Sequence, residues 1–128
     1  MPCVRIATGM WAQGSELQLM EAVQRALVAS FRIPEDDRDV VLDLYDPTRR
    51  LLPPGRSARQ TRVELVGIAA RSTEAKRALF KAIADNLEAV GVPPNETRIY
   101  LVEPPADSWG IKGGQLASET SLGFRIDV

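Results

Sequence analysis

The 128-residue sequence contains no histidine and a single cysteine, Cys3. Those two absences remove more chemistry than any other feature of the composition. An intramolecular disulfide cannot form, a Cys/His zinc site lacks its ligands, and every nucleophilic dyad or triad that uses imidazole as base is excluded. Charge of one sign is also missing: the net charge is −1 and the basic residues are scattered. The chain therefore lacks the one-sided field that binds a nucleic acid or an anionic bilayer. No apolar run exceeds the length of a strand and no basic segment precedes one, so neither a membrane span nor a secretion signal is expected, and the default location is the cytoplasm. A phosphate-cradling Walker loop is absent as well, since "GIKGG" at 110–114 carries its lysine ahead of the glycines and no strand feeds it. Without imidazole, proton transfer near neutral pH falls to a raised carboxylate, a lowered lysine or the α-amino group, which titrates unperturbed at about 7.7–8.0.

What is present is a chain that states one plan twice. "GSELQLMEAVQRALVASFRIPEDDRDVVLDLYDP" aligns with "RSTEAKRALFKAIADNLEAVGVPPNETRIYLVEPP", with Pro34 against Pro93 and an offset of 57–59 residues with small slips. In the first half Val4 and Ile6 alternate with polar or small neighbours as a strand behind Pro2. Ser15 offers an N-cap with Gln18 three residues on, and Leu17, Met20, Val23, Leu27 and Phe31 mark one face of a helix that Pro34 stops. Val40, Leu42 and Leu44 then alternate as a second strand. In the second half Val63 and Leu65 form the strand, Ser72 or Thr73 the cap, and Ala75, Leu79, Ile83, Leu87 and Val90 the helix face. Gly91 is the stop, and Ile99 and Leu101 lie in the last strand.

A β-α-β unit pairs its strands in parallel through a right-handed crossover, so two units make one four-stranded sheet with both helices on one face. The expected fold is α/β (α+β), with a short strand or hairpin added at the C-terminus. The repeats span approximately 2–45 and 61–103, with a C-terminal arm over 104–128. The other sheet face, read as Arg5, Asp43, Tyr45, Val66, Ile68, Tyr100 and Val102, is too apolar to be simply solvated, which predicts an oligomer whose sheets pack together. Residues 46–60 form a long Pro/Gly/Arg-rich loop. Its Arg49, Arg50, Arg56 and Arg59 read as solvated, with one alternative open: that one of them reaches an anionic substrate across a subunit boundary. The alternation of Leu122, Phe124, Ile126 and Val128 predicts a strand in the arm.

Three features coincide: Pro2 heading a strand, the duplicated β-α-β plan, and Arg71 in "AARSTEAKRALFKAI" at the start of the second helix. Together they resemble the tautomerase superfamily, and most of all its longer-subunit branch that includes malonate semialdehyde decarboxylase. "FRIPEDDR" at 31–38, "RSTEAK" at 71–76 and the tryptophan–glycine turn at 109–114 have comparable stretches there. The resemblance covers essentially the whole chain and implies a single tautomerase-like domain over 1–128. It further implies a homotrimer with inward-facing sheets, no cofactor, and a catalytic N-terminal proline exposed by removal of Met1.

Carried over residue by residue, Pro2 takes the place of the catalytic proline and Asp37 that of the aspartate beside it. Arg71 matches one of two arginines that grip the substrate carboxylate; the place of the other is Ala69. Tyr100 is similar to a tyrosine near the pocket in another branch, and Trp109 to an aromatic wall. The activity implied is a cofactor-free keto–enol tautomerase of small 2-oxo acids. Two alternatives stay open: a decarboxylase or hydratase, which Asp37 favours and Ala69 disfavours, and a non-catalytic oligomeric binding module. Cys3 reads as an inert strand residue.

Overall fold

The computed structural model describes residues 2–128. The chain runs β1 (Cys3–Gly9), α1 (Glu16–Phe31), β2 (Val40–Tyr45), β3 (Thr61–Val66), α2 (Thr73–Glu88) and β4 (Thr97–Val102), then a small hairpin of β5 (Gly110–Ile111) and β6 (Gln115–Leu116). The main sheet has the order β2-β1-β3-β4. β1 pairs in parallel with β2 at Val4↔Val40, β3 in parallel with β4 at Val63↔Ile99, and β1 antiparallel to β3 at Cys3↔Val66. The two halves are thus related by an approximate twofold axis between β1 and β3. Each half packs its helix on the same side of the sheet.

Period-2 burial builds the strands: Val4, Ile6, Val63 and Leu65 point into the core, while Arg5 and Arg62 face out. On α1 the buried stripe is Leu19, Ala22, Val23, Ala26, Leu27 and Phe31. The expected face differs at its start, because Leu17 is 63% exposed and Leu19 takes its place. Ser15, the expected cap, makes no side-chain cap hydrogen bond. Instead the Glu16 carboxylate accepts the Gly14 N–H. The helix ends where Arg32 turns left-handed (φ 56°) and donates its N–H to Val28 O, two residues before Pro34. α2 does carry a side-chain cap, Ser72 Oγ accepting from Ala75 N at 3.1 Å. Val90 lies just past its last turn, where Gly91 (φ 112°) reverses the chain.

A polar relay closes one end of the core. Trp11 Nε1 donates to Thr8 Oγ1 at 2.9 Å, Thr8 and Thr61 share a hydroxyl contact at 2.9 Å, and Thr61 Oγ1 donates to Arg59 O at 2.8 Å. Thr8 therefore donates to Thr61, and one direction of bonding satisfies the two fully buried hydroxyls. Two arginines of loop 46–60, the half-buried Arg50 and the exposed Arg59, are held in place by the fold. Arg50 donates to Ala58 O and Gln60 O, and Arg59 stacks 4.4 Å over Trp11 while donating to Gly91 O. Ser57 anchors the same loop on the buried Glu96 carboxylate, and its backbone N–H holds that carboxyl below its ordinary range.

The open sheet face matches the expectation except at Ile68, which lies beyond β3 in the following loop and is 2% exposed. Its rows run Val41–Arg5–Glu64–Tyr100 and Asp43–Ala7–Arg62–Arg98. Val41 and Val102 are about half exposed on it. The strand expected over 122–128 does not form. Alternation yields a strand only beside a free ladder edge, and this segment runs to the helix layer, where Phe124 packs on the core and Ser72 N donates to Val128 O at 2.8 Å. The hairpin over 110–116, turned by Lys112, Gly113 and Gly114 at positive φ, supplies the arm's strands.

Candidate active site

Pro2 is buried at the head of β1 and opens onto a cavity of about 430 Å³. Cys3, Asp37, Asp39 and the segment Ser108–Ile111 line the rest of it. Strand register explains why these distant segments meet. Parallel pairing of β1 with β2 sets Val4 N on Asp39 O at 2.8 Å, so the acidic turn before β2 arrives beside the residues before Val4. Antiparallel pairing of Cys3 with Val66 brings the end of β3, and of its parallel partner β4, to the same place. The chain leaving β4 then lays Trp109 across the cavity, with Trp109 O accepting from Ala117 N at 2.9 Å.

Asp37 is positioned from the core outward. Gln24, buried on α1, donates Nε2 to Asp37 O at 3.0 Å, and Asp37 N bonds Pro34 O at 3.1 Å. Asp39, which sequence reasoning passed over, hydrogen-bonds the Cys3 thiol. Burial first, then that bond and the Asp39 charge, push the thiol up to about 11. The signal for Asp39 was available: it immediately precedes a strand that must lie parallel to β1.

Arg71 does not line this cavity. It sits behind it, at the end of the 67–71 loop whose Gly67 lies so close that a Cβ there would be 4.0 Å from Pro2 Cβ. Arg71 is 8% exposed, its guanidinium stacked 4.8 Å over Phe31 with Nη1 donating to Ile68 O at 3.2 Å. Nε and Nη2, which form its side-on bidentate fork, are buried without a partner. Burial lowers its pKa from the usual range, opposed by the charges of Glu103 and Asp37. The start of α2 is already occupied, because Ser72 N and Ala75 N donate to Val128 O and Ser72 Oγ. Ala69, exposed, offers no second guanidinium. Tyr100 stands on the open sheet face, 37% exposed, its hydroxyl donating to Glu64 Oε1 at 3.2 Å; it does not line the Pro2 cavity. Of the five residues singled out, the fold brings Pro2, Asp37 and Trp109 together, sets Arg71 behind them and leaves Tyr100 apart. Among the described residues no His/Cys/Asp/Glu cluster has the makings of a metal site.

A duplicated β-α-β sheet with a proline-headed first strand and a cavity at that proline defines a tautomerase-like fold. The profile of a family described as tautomerase enzyme matches residues 37–112, more than half of the sequence, and the chain belongs to that family. Among solved structures, FG41 malonate semialdehyde decarboxylase inhibited by 3-bromopropiolate is 25% identical, covering 94% of this chain and 98% of its own, with a TM-score of 0.80. Native fused 4-OT is 27% identical, covering 95% and 99%, with a TM-score of 0.77. A fused 4-OT asymmetric trimer, at 21% identity, 91% and 97% coverage and a TM-score of 0.82, shares the fold. No curated protein sequence matches the chain. Among the described residues no helix is long and apolar enough to cross a membrane.

Proposed function

We propose that the protein is a cofactor-independent keto–enol tautomerase of small 2-oxo acids, working as a homotrimer, in which Pro2 is the proton carrier. Met1 lies outside the described residues, and the proposal requires its removal, which turns Pro2 into a secondary amine. Burial disfavours the charged form of that amine. The neutral nitrogen takes a proton from the carbon beside the keto group, and the ammonium so formed hands that proton to the keto oxygen, directly or through solvent; the reverse path returns it to carbon. The unpaired Arg71 fork, Nε and Nη2, suits the two oxygens of the substrate carboxylate, and meeting them requires the 67–71 loop in front of it to move aside. Trp109 forms an apolar wall that lowers the local dielectric. Tyr100, expected as a substrate contact, does not line this cavity and takes no part in the proposed proton transfer.

The observation that carries this reading is Pro2 itself, buried at a strand head yet opening onto a cavity. Intact-mass measurement followed by an ultraviolet assay of phenylpyruvate enol tests it. Processed protein is expected to be active, with Pro2→Ala reduced about 10²–10⁴-fold, the usual worth of a positioned acid–base. A processed, folded and inactive protein overturns it in favour of a binding module.

A second reading rests on a specific feature. Two carboxylates, Asp37 and Asp39, face the same cavity, and negative charge raises an amine's pKa. A protonated Pro2 would polarise a carbonyl and donate to a departing carbanion, which is decarboxylase or hydratase chemistry; a malonate semialdehyde decarboxylase is 25% identical to the chain. Titration of the Pro2 nitrogen by ¹⁵N NMR separates the two: a value below 7 supports the tautomerase, a value above 8 the alternative.

A further inference from the structure

The pseudo-twofold axis makes a second cavity. It holds about 590 Å³ and lies at the opposite end of β1 and β3 from Pro2. A single offset of 59 residues maps six of the eight residues lining the Pro2 cavity onto it: Cys3 onto Arg62, Asp39 onto Arg98, Ser108 onto Arg49, Trp109 onto Arg50, and Gly110 and Ile111 onto Leu51 and Leu52. The remaining pair have lost their chemistry. Pro2 maps onto Thr61, whose hydroxyl is consumed in the buried relay, and Asp37 onto Glu96, whose carboxylate is tied to Ser57. The duplicate has kept the shape and inverted the charge.

We infer that this second cavity is a binding site for a small, multiply charged oxyanion such as a phosphate ester or polycarboxylate. Four guanidiniums line it and no carboxylate does. Arg62 and Arg98 are directly opposite in the β3–β4 register, an arrangement that repels without a counter-ion. Among the described residues, none of Arg49, Arg62 and Arg98 has an ion-pair partner. Arg50 is clamped in place by Ala58 O and Gln60 O. Its pKa is lowered by burial and by the Arg62 charge. Gln60, 8% exposed, lines the floor with its side-chain oxygen buried and unpartnered, ready for a ligand hydroxyl. Tyr45, Leu52 and Pro53 supply an apolar wall for the body of an organic anion. The hydrogen bonds that hold the Arg50 guanidinium fix it before a ligand arrives, which reduces the ordering cost of binding.

Calorimetry with pyrophosphate and with citrate on the full-length protein tests the assignment. Saturable binding of either probe, one per chain, is expected, and the preferred probe tells phosphate from polycarboxylate. Affinity should fall at least tenfold in Arg62→Gln/Arg98→Gln and be unchanged in Pro2→Ala. Arg49→Gln, an exposed loop position, should weaken binding if the double variant does not fold. Three results overturn the inference: neither probe saturates, the arginine variants bind as tightly as the wild type, or binding is lost in Pro2→Ala. Where neither probe saturates, light scattering on the double variant shows what occupies the site instead: dissociation of the oligomer would mean that a second copy of the chain neutralises the arginines.

Discussion

Arg71 is the residue at which stability and function pull apart. A buried polar group without a partner costs about 1–3 kcal/mol, and this guanidinium has two such N–H positions. Its Ile68 hydrogen bond and its stacking on Phe31 offset part of that cost. Replacing a buried charged group by an apolar one of similar volume is often neutral or stabilising. Arg71→Met is therefore expected to leave Tm unchanged or raised while KM for a 2-oxo acid increases at least tenfold; a lowered Tm with unchanged KM would make Arg71 purely structural. Cys3 gives a second residue-scale prediction. With its thiol up at about 11, almost none is thiolate at pH 7.5. Alkylation by iodoacetamide, followed by mass spectrometry, should be far slower than for a free thiol at that pH and rise steeply only above pH 10. Asp39→Asn removes the neighbouring charge and should bring the onset to lower pH. Cys3 reads in the sequence as an inert strand residue, but the burial and the Asp39 carboxylate that raise its thiol do not show there.

At the scale of elements, close approach of backbones sets the limits. Gly9 ends β1 where a Cβ would stand 2.4 Å from Ala58 O, a backbone atom that cannot swing aside. Gly9→Ala is expected to destabilise the fold by about 1–3 kcal/mol through the displacement it forces, read as a lower urea midpoint at unchanged m. Strands, helices and their order were legible because apolar periodicity and turn residues are local. Details at helix starts were not. Leu17 and Leu19 are both apolar and two residues apart, so only docking on the sheet chose between them. Leu122 to Val128 shows the converse, since alternation alone does not supply the neighbouring strand that a ladder needs.

At the scale of the molecule, the open sheet face is the surface on which the proposed trimer turns. Val41 and Val102 expose apolar surface beside the Arg5–Asp43 ion pair (3.2 Å) and the Tyr100–Glu64 hydrogen bond. Parallel strands rarely leave a face to water. Val102→Asp should convert the proposed trimer into folded monomers, seen by light scattering with unchanged circular dichroism; a monomeric wild type would end the proposal. The sequence by itself determined the duplicated β-α-β plan, the helix-covered sheet face and the chemistry that a histidine-free chain has left, because all three follow from composition and local period. Only the tertiary structure decided that Asp39 joins Asp37 at Pro2, that Arg71 lies sealed behind that cavity, and that a second, arginine-lined cavity mirrors it. Those facts depend on strand register and on the pseudo-twofold axis, which bring together side chains up to about a hundred residues apart and leave no mark in any single stretch of sequence.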